Sequence, residues 1–151
     1  MPTRYKGSAG EVLALDTLIK LNRSANAVQA RLGPLLQKDF GLTESQFGIL
    51  EALYHLGPLN QGELCRKILR SGSNVTTVVD NLERDGLVRR VRDETDRRVQ
   101  VVHVTEQGRA LLERTLPHHI GRVVALMSAL DSDEQRELGR LCRKLGLAAS
   151  K

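Results

Sequence analysis

Val75, Val78, Val79 and Leu82 stand at i, i+3, i+4 and i+7, and just beyond Gly86 the apolar pattern changes to runs of β-branched residues. The first spacing is one face of a helix, and Gly86 is placed to end it as the C′ glycine. Residues 87–92 and 99–104 then read as two strands, and the polar stretch 93–98 between them makes a hairpin. A helix feeding directly into a hairpin leaves few architectures open. Upstream, Asn60 with Glu63 has the form of a helix N-cap before Leu64, Ile68 and Leu69, which predicts a short helix over 61–69 and a turn over 70–72. A short helix, a tight turn, a second helix and a hairpin is the order of a winged helix-turn-helix, in which the second helix enters a major groove.

With its valines and Leu82 turned inward, the second helix offers Ser73, Asn74, Thr76, Thr77 and Asn81 outward. Asn can pair bidentately with adenine, and Ser and Thr can meet bases or phosphates. The bland reading is a solvated helix face. Ser, Thr and Asn are mediocre helix formers, however, and stability alone would favour Glu, Lys or Ala there. Between Arg66 and Arg98 stand nine basic residues against six acidic ones, clustered around this helix. Phosphate neutralisation supplies most of the affinity for DNA, so such a cluster suits that partner. On the hairpin tip an Arg can enter a narrow minor groove while a neighbouring Asp holds its guanidinium, and Asp96 with Arg98 is the preferred pair. The candidate contacts to double-stranded DNA are Arg70, Ser71, Ser73, Asn74, Thr76, Thr77, Asn81, Arg84, Arg89, Asp96, Arg97 and Arg98.

The rest of the chain reads as helix. Val12, Leu15, Leu18, Ile19, Ala25, Val28, Leu32, Leu35 and Leu36 make a long stripe ending near Gly41. Thr43 with Gln46 forms a capping box for a helix stopped at Gly57-Pro58. After Thr105, Leu112, Leu116, Ile120, Val123, Met127 and Leu130 continue the helical period, with a local kink expected at Pro117. Ser132 with Gln135 is read as opening a last helix that buries Leu138, Leu141, Cys142 and Leu145. Of the 151 residues 40% are hydrophobic but only 3% aromatic, so the core is aliphatic and packed between helices. The expected fold is mainly α with a small β-hairpin wing: one domain over 1–151, its winged lobe at 43–105, and dimerisation helices at 10–40 and 106–148 with more apolar surface than one lobe can cover.

A net charge of +5 favours anionic partners. The chain begins with no apolar signal segment and nowhere approaches the ~20 apolar residues of a membrane span, so a cytoplasmic protein without a membrane partner is expected. Cys65 and Cys142 lie far apart with no metal-ligand spacing. Cys65 sits beside the basic residues Arg66 and Lys67, a setting that suits a reactive thiol, and is the one candidate redox site; its place next to Leu64 equally fits a small buried hydrophobe. Cys142 belongs to an apolar series. His118 and His119 point about 100° apart on a helix without supporting ligands, so no metal site is expected. The absence of a phosphate loop, nucleophile elbow or metal motif argues against an enzyme, and no cofactor is implied.

The residues from Asn74 to Arg90, Asp93-Glu-Thr-Asp-Arg-Arg and Val104-Thr-Glu-Gln-Gly108 together resemble the MarR family of bacterial transcriptional regulators, over essentially the whole chain. That resemblance implies a triangular homodimer with interleaved terminal helices, two winged lobes reaching consecutive major grooves, and half-sites on the order of 34 Å apart. It implies a sequence-specific regulator, a ligand-responsive repressor on a pseudo-palindromic operator. The opening Arg4-Tyr-Lys-Gly and 11–21 resemble a subgroup that includes regulators responding to quinones and related phenolics, which implies a phenolic or quinone-like inducer. Redox-sensing relatives carry a reactive Cys near the start of the first helix, and this chain has none there. The competing readings are a non-specific architectural DNA binder, a Cys65-based redox regulator, and a winged fold kept for protein contacts.

Overall fold

The computed structural model describes residues 2–68 and 72–151, with the backbone alone for 72–74. Helix α1 spans Ala9–Phe40, α2 Glu44–Leu56, strand β1 Leu59–Asn60, α3 Gln61–Ile68, α4 Gly72–Arg84, β2 Val88–Arg92, β3 Gln100–Val104, α5 Glu106–Met127 and α6 Ser132–Ala149. The expected mainly α fold with a small hairpin wing is the fold observed.

Local chemistry sets most boundaries. Thr43 and Gln46 make the expected reciprocal cap of α2, and Asn60 and Glu63 do the same for α3, each side chain accepting from the other's backbone N–H at 2.9 and 2.8 Å. Gly41 closes α1 at φ 68°, a conformation in which a Cβ is strained. The last helix departs from expectation: its N-cap is Asp131, which accepts from the N–H groups of Asp133 and Glu134 while Glu134 accepts from Asp131. Ser132 is therefore the first helical residue, because the charged carboxylate is the better acceptor at the positive end of a helix. Helix α5 runs through Pro117 as a single element.

The hairpin is joined by a third strand that the sequence pattern does not reveal. Sheet order is β1-β3-β2, antiparallel throughout, with Val88 opposite Val104, Arg90 opposite Val102 and Leu59 also opposite Val102. Two residues are too few to carry a period. The core gathers Phe47, Leu50 and Leu53 of α2, Leu64 of α3, Val75, Val79 and Leu82 of α4, Val88 and Val102 of the sheet, and Leu36 and Leu112 from α1 and α5. Truncating one of these leucines to alanine would cost about 2–5 kcal/mol.

One junction aligns the lobe with α5. The Thr105 hydroxyl donates to the Gly86 carbonyl at 2.7 Å and accepts from the Gly108 N–H at 3.1 Å, while the Thr105 N–H donates to the Leu87 carbonyl. Gly86, at φ 76°, makes the turn that allows this approach.

Outside the lobe the chain covers little of itself. Among the described residues, Leu36 is the only buried residue of α1 and α6 has none. Leu13, Leu18, Ile120, Val124, Leu138, Leu141 and Leu145 are exposed. Cys142, expected within a packed series, is exposed too. The apolar stripe of α6 is present, but the rest of the described chain does not bury it. Among the described residues, no helix is long and apolar enough to cross a membrane.

Candidate nucleic-acid interface

Helix α4 buries Val75, Val79 and Leu82 and leaves Thr76 and Thr77 exposed, as its spacing predicts. Asn81, expected to face outward, is half-buried. It follows Val78 by three positions, so it sits on the border of the apolar face rather than opposite to it. The backbone of Ser73 and Asn74 belongs to α4; their side chains, and the whole of Arg70 and Ser71, lie outside the described residues.

The hairpin tip is built by aspartates. Asp93 accepts from both the N–H and the hydroxyl of Thr95 at 2.9 Å, an Asx turn, and the Asp93 N–H donates to the Val99 carbonyl. Asp96 accepts the Arg98 guanidinium through two bonds, Nε to Oδ1 at 3.1 Å and Nη2 to Oδ2 at 3.3 Å, and takes the Arg98 N–H as well. The Arg98 side chain is 91% exposed, so the fork orients a cation that stands clear of the fold. Both carboxyls are held below the ordinary aspartate range, Asp96 by the Arg98 guanidinium first and then its N–H, Asp93 by the Thr95 N–H first and then its hydroxyl. Each aspartate thus stays ionised while it shapes the tip.

The basic residues divide into two groups. Arg66, Lys67, Arg89, Arg92 and Arg97 are exposed, as is Arg84, which also reaches its neighbour Asp85 at 3.4 Å. Arg90 is not available: it is braced between Asp80 and Glu83 of α4. A count along the sequence places it with the phosphate-neutralising group, and nothing in the pattern Val88-Arg-Arg-Val-Arg distinguishes it. Gln61 is a residue that the sequence reading misses. It opens α3, and its side-chain amide donates to the Thr76 hydroxyl across fifteen positions. The Asn60–Glu63 pattern fixes its place on the helix, but no sequence signal announces its partner.

The histidines pack against rings. His118 lies 5.7 Å from Phe40 and His119 4.5 Å from Phe47. Burial pushes the His119 pKa below its ordinary value; Glu51 opposes the shift, Arg122 adds to it and Glu44 opposes it. Cys65 is half-buried in α3.

A two-helix unit that turns threonines outward from its second helix, backed by a three-stranded wing with a forked arginine at the tip, defines a winged helix-turn-helix DNA-binding protein. The model of the MarR family matches residues 42–100. The HTH-type transcriptional regulator MhqR of Bacillus subtilis is 32% identical over 136 residues, covering 90% of this chain and 93% of that protein. The chain belongs to the MarR family and is a DNA-binding transcriptional regulator. Among solved structures, Sco3205 of Streptomyces coelicolor in complex with DNA superposes with a TM-score of 0.84 at 28% identity, covering 95% of this chain and 94% of the other. BpsR of Bordetella bronchiseptica, whose DNA binding is regulated by 6-hydroxynicotinic acid, superposes with a TM-score of 0.73 at 25% identity, covering 84% and 98%.

Proposed function

We propose that this regulator is a homodimeric, ligand-responsive repressor that acts in the cytoplasm on a pseudo-palindromic operator. The lobe over 43–105 reads the DNA, and the helices over 10–40 and 106–148 join the two copies. The observation that carries the DNA reading is the exposed Arg98, forked by Asp96 on the wing tip, together with the exposed threonines of α4. Thr76, Thr77 and, from the sequence, Ser73 and Asn74 read base edges; Arg84, Arg89, Arg97 and Arg98 meet phosphates or the minor groove. The exposed leucines and valines of α1, α5 and α6 support the dimer, since apolar stripes of that length are covered in a stable protein.

The ligand reading rests on the region where α5 packs on α1 and α2. His119 Nδ1 and Arg122 Nη1 are buried there without a hydrogen-bond partner among the described residues, and Arg122 is paired with Asp39 of α1. Such groups suit a small aromatic ligand bearing oxygen acceptors, in line with the phenolic or quinone-like class and with the regulation of BpsR. Bound there, the ligand favours a lobe spacing that no longer matches successive grooves.

Electrophoretic competition tests the proposal. The wild type is expected to prefer a sequence selected from random duplex over the random pool. Arg98→Ala should weaken binding and lower the slope of log affinity against log salt by about 1. Thr77→Ala and Asn74→Ala should erode sequence preference instead. Equal affinity for selected and random duplex would establish the architectural reading and end this one.

A further inference from the structure

Resting on the base-reading role of α4, we infer that Gln61 is a positioning residue for specificity: it keeps the Thr76 hydroxyl proton available to the base edge that Thr76 faces. A threonine hydroxyl has one proton to give and lone pairs to receive, so by itself it meets donors and acceptors alike. Gln61 narrows the choice by taking up one of the two lone pairs, which leaves the proton and the second lone pair for other partners. Its amide nitrogen, which can only donate, gives a hydrogen bond to Thr76 Oγ1. With a lone pair occupied from the α3 side, the hydroxyl proton points away from Gln61. Thr76 is exposed on the outer face of α4, so that proton is offered outward. In the major groove it meets the acceptors, O6 and N7 of guanine, N7 of adenine or O4 of thymine, and is mismatched with the N4 amine of cytosine.

The placement of Gln61 is over-determined. The preceding pair, Leu59 and Asn60, is hydrogen-bonded into the sheet opposite Val102 and Val101 of β3. Asn60 caps α3 reciprocally with Glu63. Gln61 also lines a groove with Arg98, Val99 and Gln100 of the wing. The residue that orients Thr76 is thus referenced to the same sheet that carries the wing arginine, and β1, only two residues long, has a function in holding it there.

The test compares full-length wild type with Gln61→Glu, Gln61→Ala and Thr76→Val by selection from a random duplex library, followed by titration on single-base variants of the selected sequence. Glutamate at 61 accepts where glutamine donates, so it draws the Thr76 proton inward and presents lone pairs to the groove. Thr76→Val should flatten the preference at one base pair, and Gln61→Glu, which leaves only lone pairs outward, should shift it there away from acceptor-bearing and toward donor-bearing bases, changing the affinity ratio by about 2- to 12-fold, the range of one hydrogen bond. Gln61→Ala, which lets the proton also turn toward the α3 side, should weaken the preference less than Gln61→Glu does. Gln61→Glu combined with Thr76→Val should match Thr76→Val at that base pair. Added negative charge lowers affinity for every sequence alike, so ratios are the readout. Uniform losses with unchanged ratios, or a change at a base pair that Thr76→Val does not touch, would reduce Gln61 to a stitch between α3 and α4 and overturn the inference. A wild type without preference at any position would overturn the base-reading role itself, which separates the two failures.

Discussion

Arg90 on β2 and Asp80 on α4 meet at 2.6 Å, and the Arg90 side chain is only 16% exposed. The same guanidinium reaches Glu83 at 3.0 Å, and the Arg90 backbone N–H donates to Glu83 as well, at 2.8 Å. Helix α4 and the wing are therefore joined by charge as well as by the valine core.

Arg90→Met keeps the stem of this brace and removes its charge. Hydrogen bonds to charged groups contribute more than neutral ones, but both carboxylates remain open to solvent, so a loss of about 1–2 kcal/mol is expected. Arg92→Met, on the exposed end of the same strand, should change stability by less than about 0.5 kcal/mol. Urea unfolding of the two variants measures the contrast, and equal midpoints would show that the brace contributes nothing.

Gly108 is needed for close approach. A Cβ there would lie 2.1 Å from the Leu87 carbonyl oxygen and 3.0 Å from its carbon, backbone that also receives the Thr105 N–H. Gly108→Ala is expected to cost about 1–3 kcal/mol as overpacking. Beyond its chain neighbours and its own helix backbone, a Cβ added at Gly48, within α2, would meet no atom within 4 Å among the described residues, so Gly48→Ala should stabilise by roughly 0.5–1 kcal/mol through helix propensity. Opposite shifts in Tm are the expected result; a neutral Gly108→Ala would contradict the geometry.

Protonation of His119 should oppose folding. Its pKa in the folded chain lies below the ordinary 6.5, chiefly because burial against Phe47 disfavours the charged ring. A depressed histidine contributes stability that is complete above the unfolded pKa and is lost as pH falls through the folded one. Tm followed downward from pH about 7 should fall less steeply for His119→Gln than for the wild type. Parallel pH profiles would assign the loss to other groups.

What is legible in the sequence is what depends on near neighbours. The caps at Thr43 and Asn60 each need two residues three apart, and both form as their spacing implies. The Asp96–Arg98 fork spans two positions and is equally legible. The cap of the last helix is ambiguous because two adjacent residues, Asp131 and Ser132, both suit the position, and only the backbone path shows Asp131 taking the role. The outward threonines of α4 follow from the valine spacing, whereas Asn81, on the border of that face, does not resolve into inside or outside until Val78 and its surroundings are packed.

By itself, then, the sequence determined the helices, most of their caps, the turn at Gly86, the hairpin and the identity of the face that α4 turns outward, because each depends on hydrogen bonds or periodicities within a few residues. Tertiary structure decided that Arg90 is a brace while Arg89 and Arg92 stay exposed, that the two residues of β1 complete the wing, that Gln61 reaches Thr76, and that Cys142 and its neighbouring leucines lie uncovered by the rest of the described chain. Those outcomes depend on which surfaces meet after distant segments fold together, and identical residue types a position apart meet different partners.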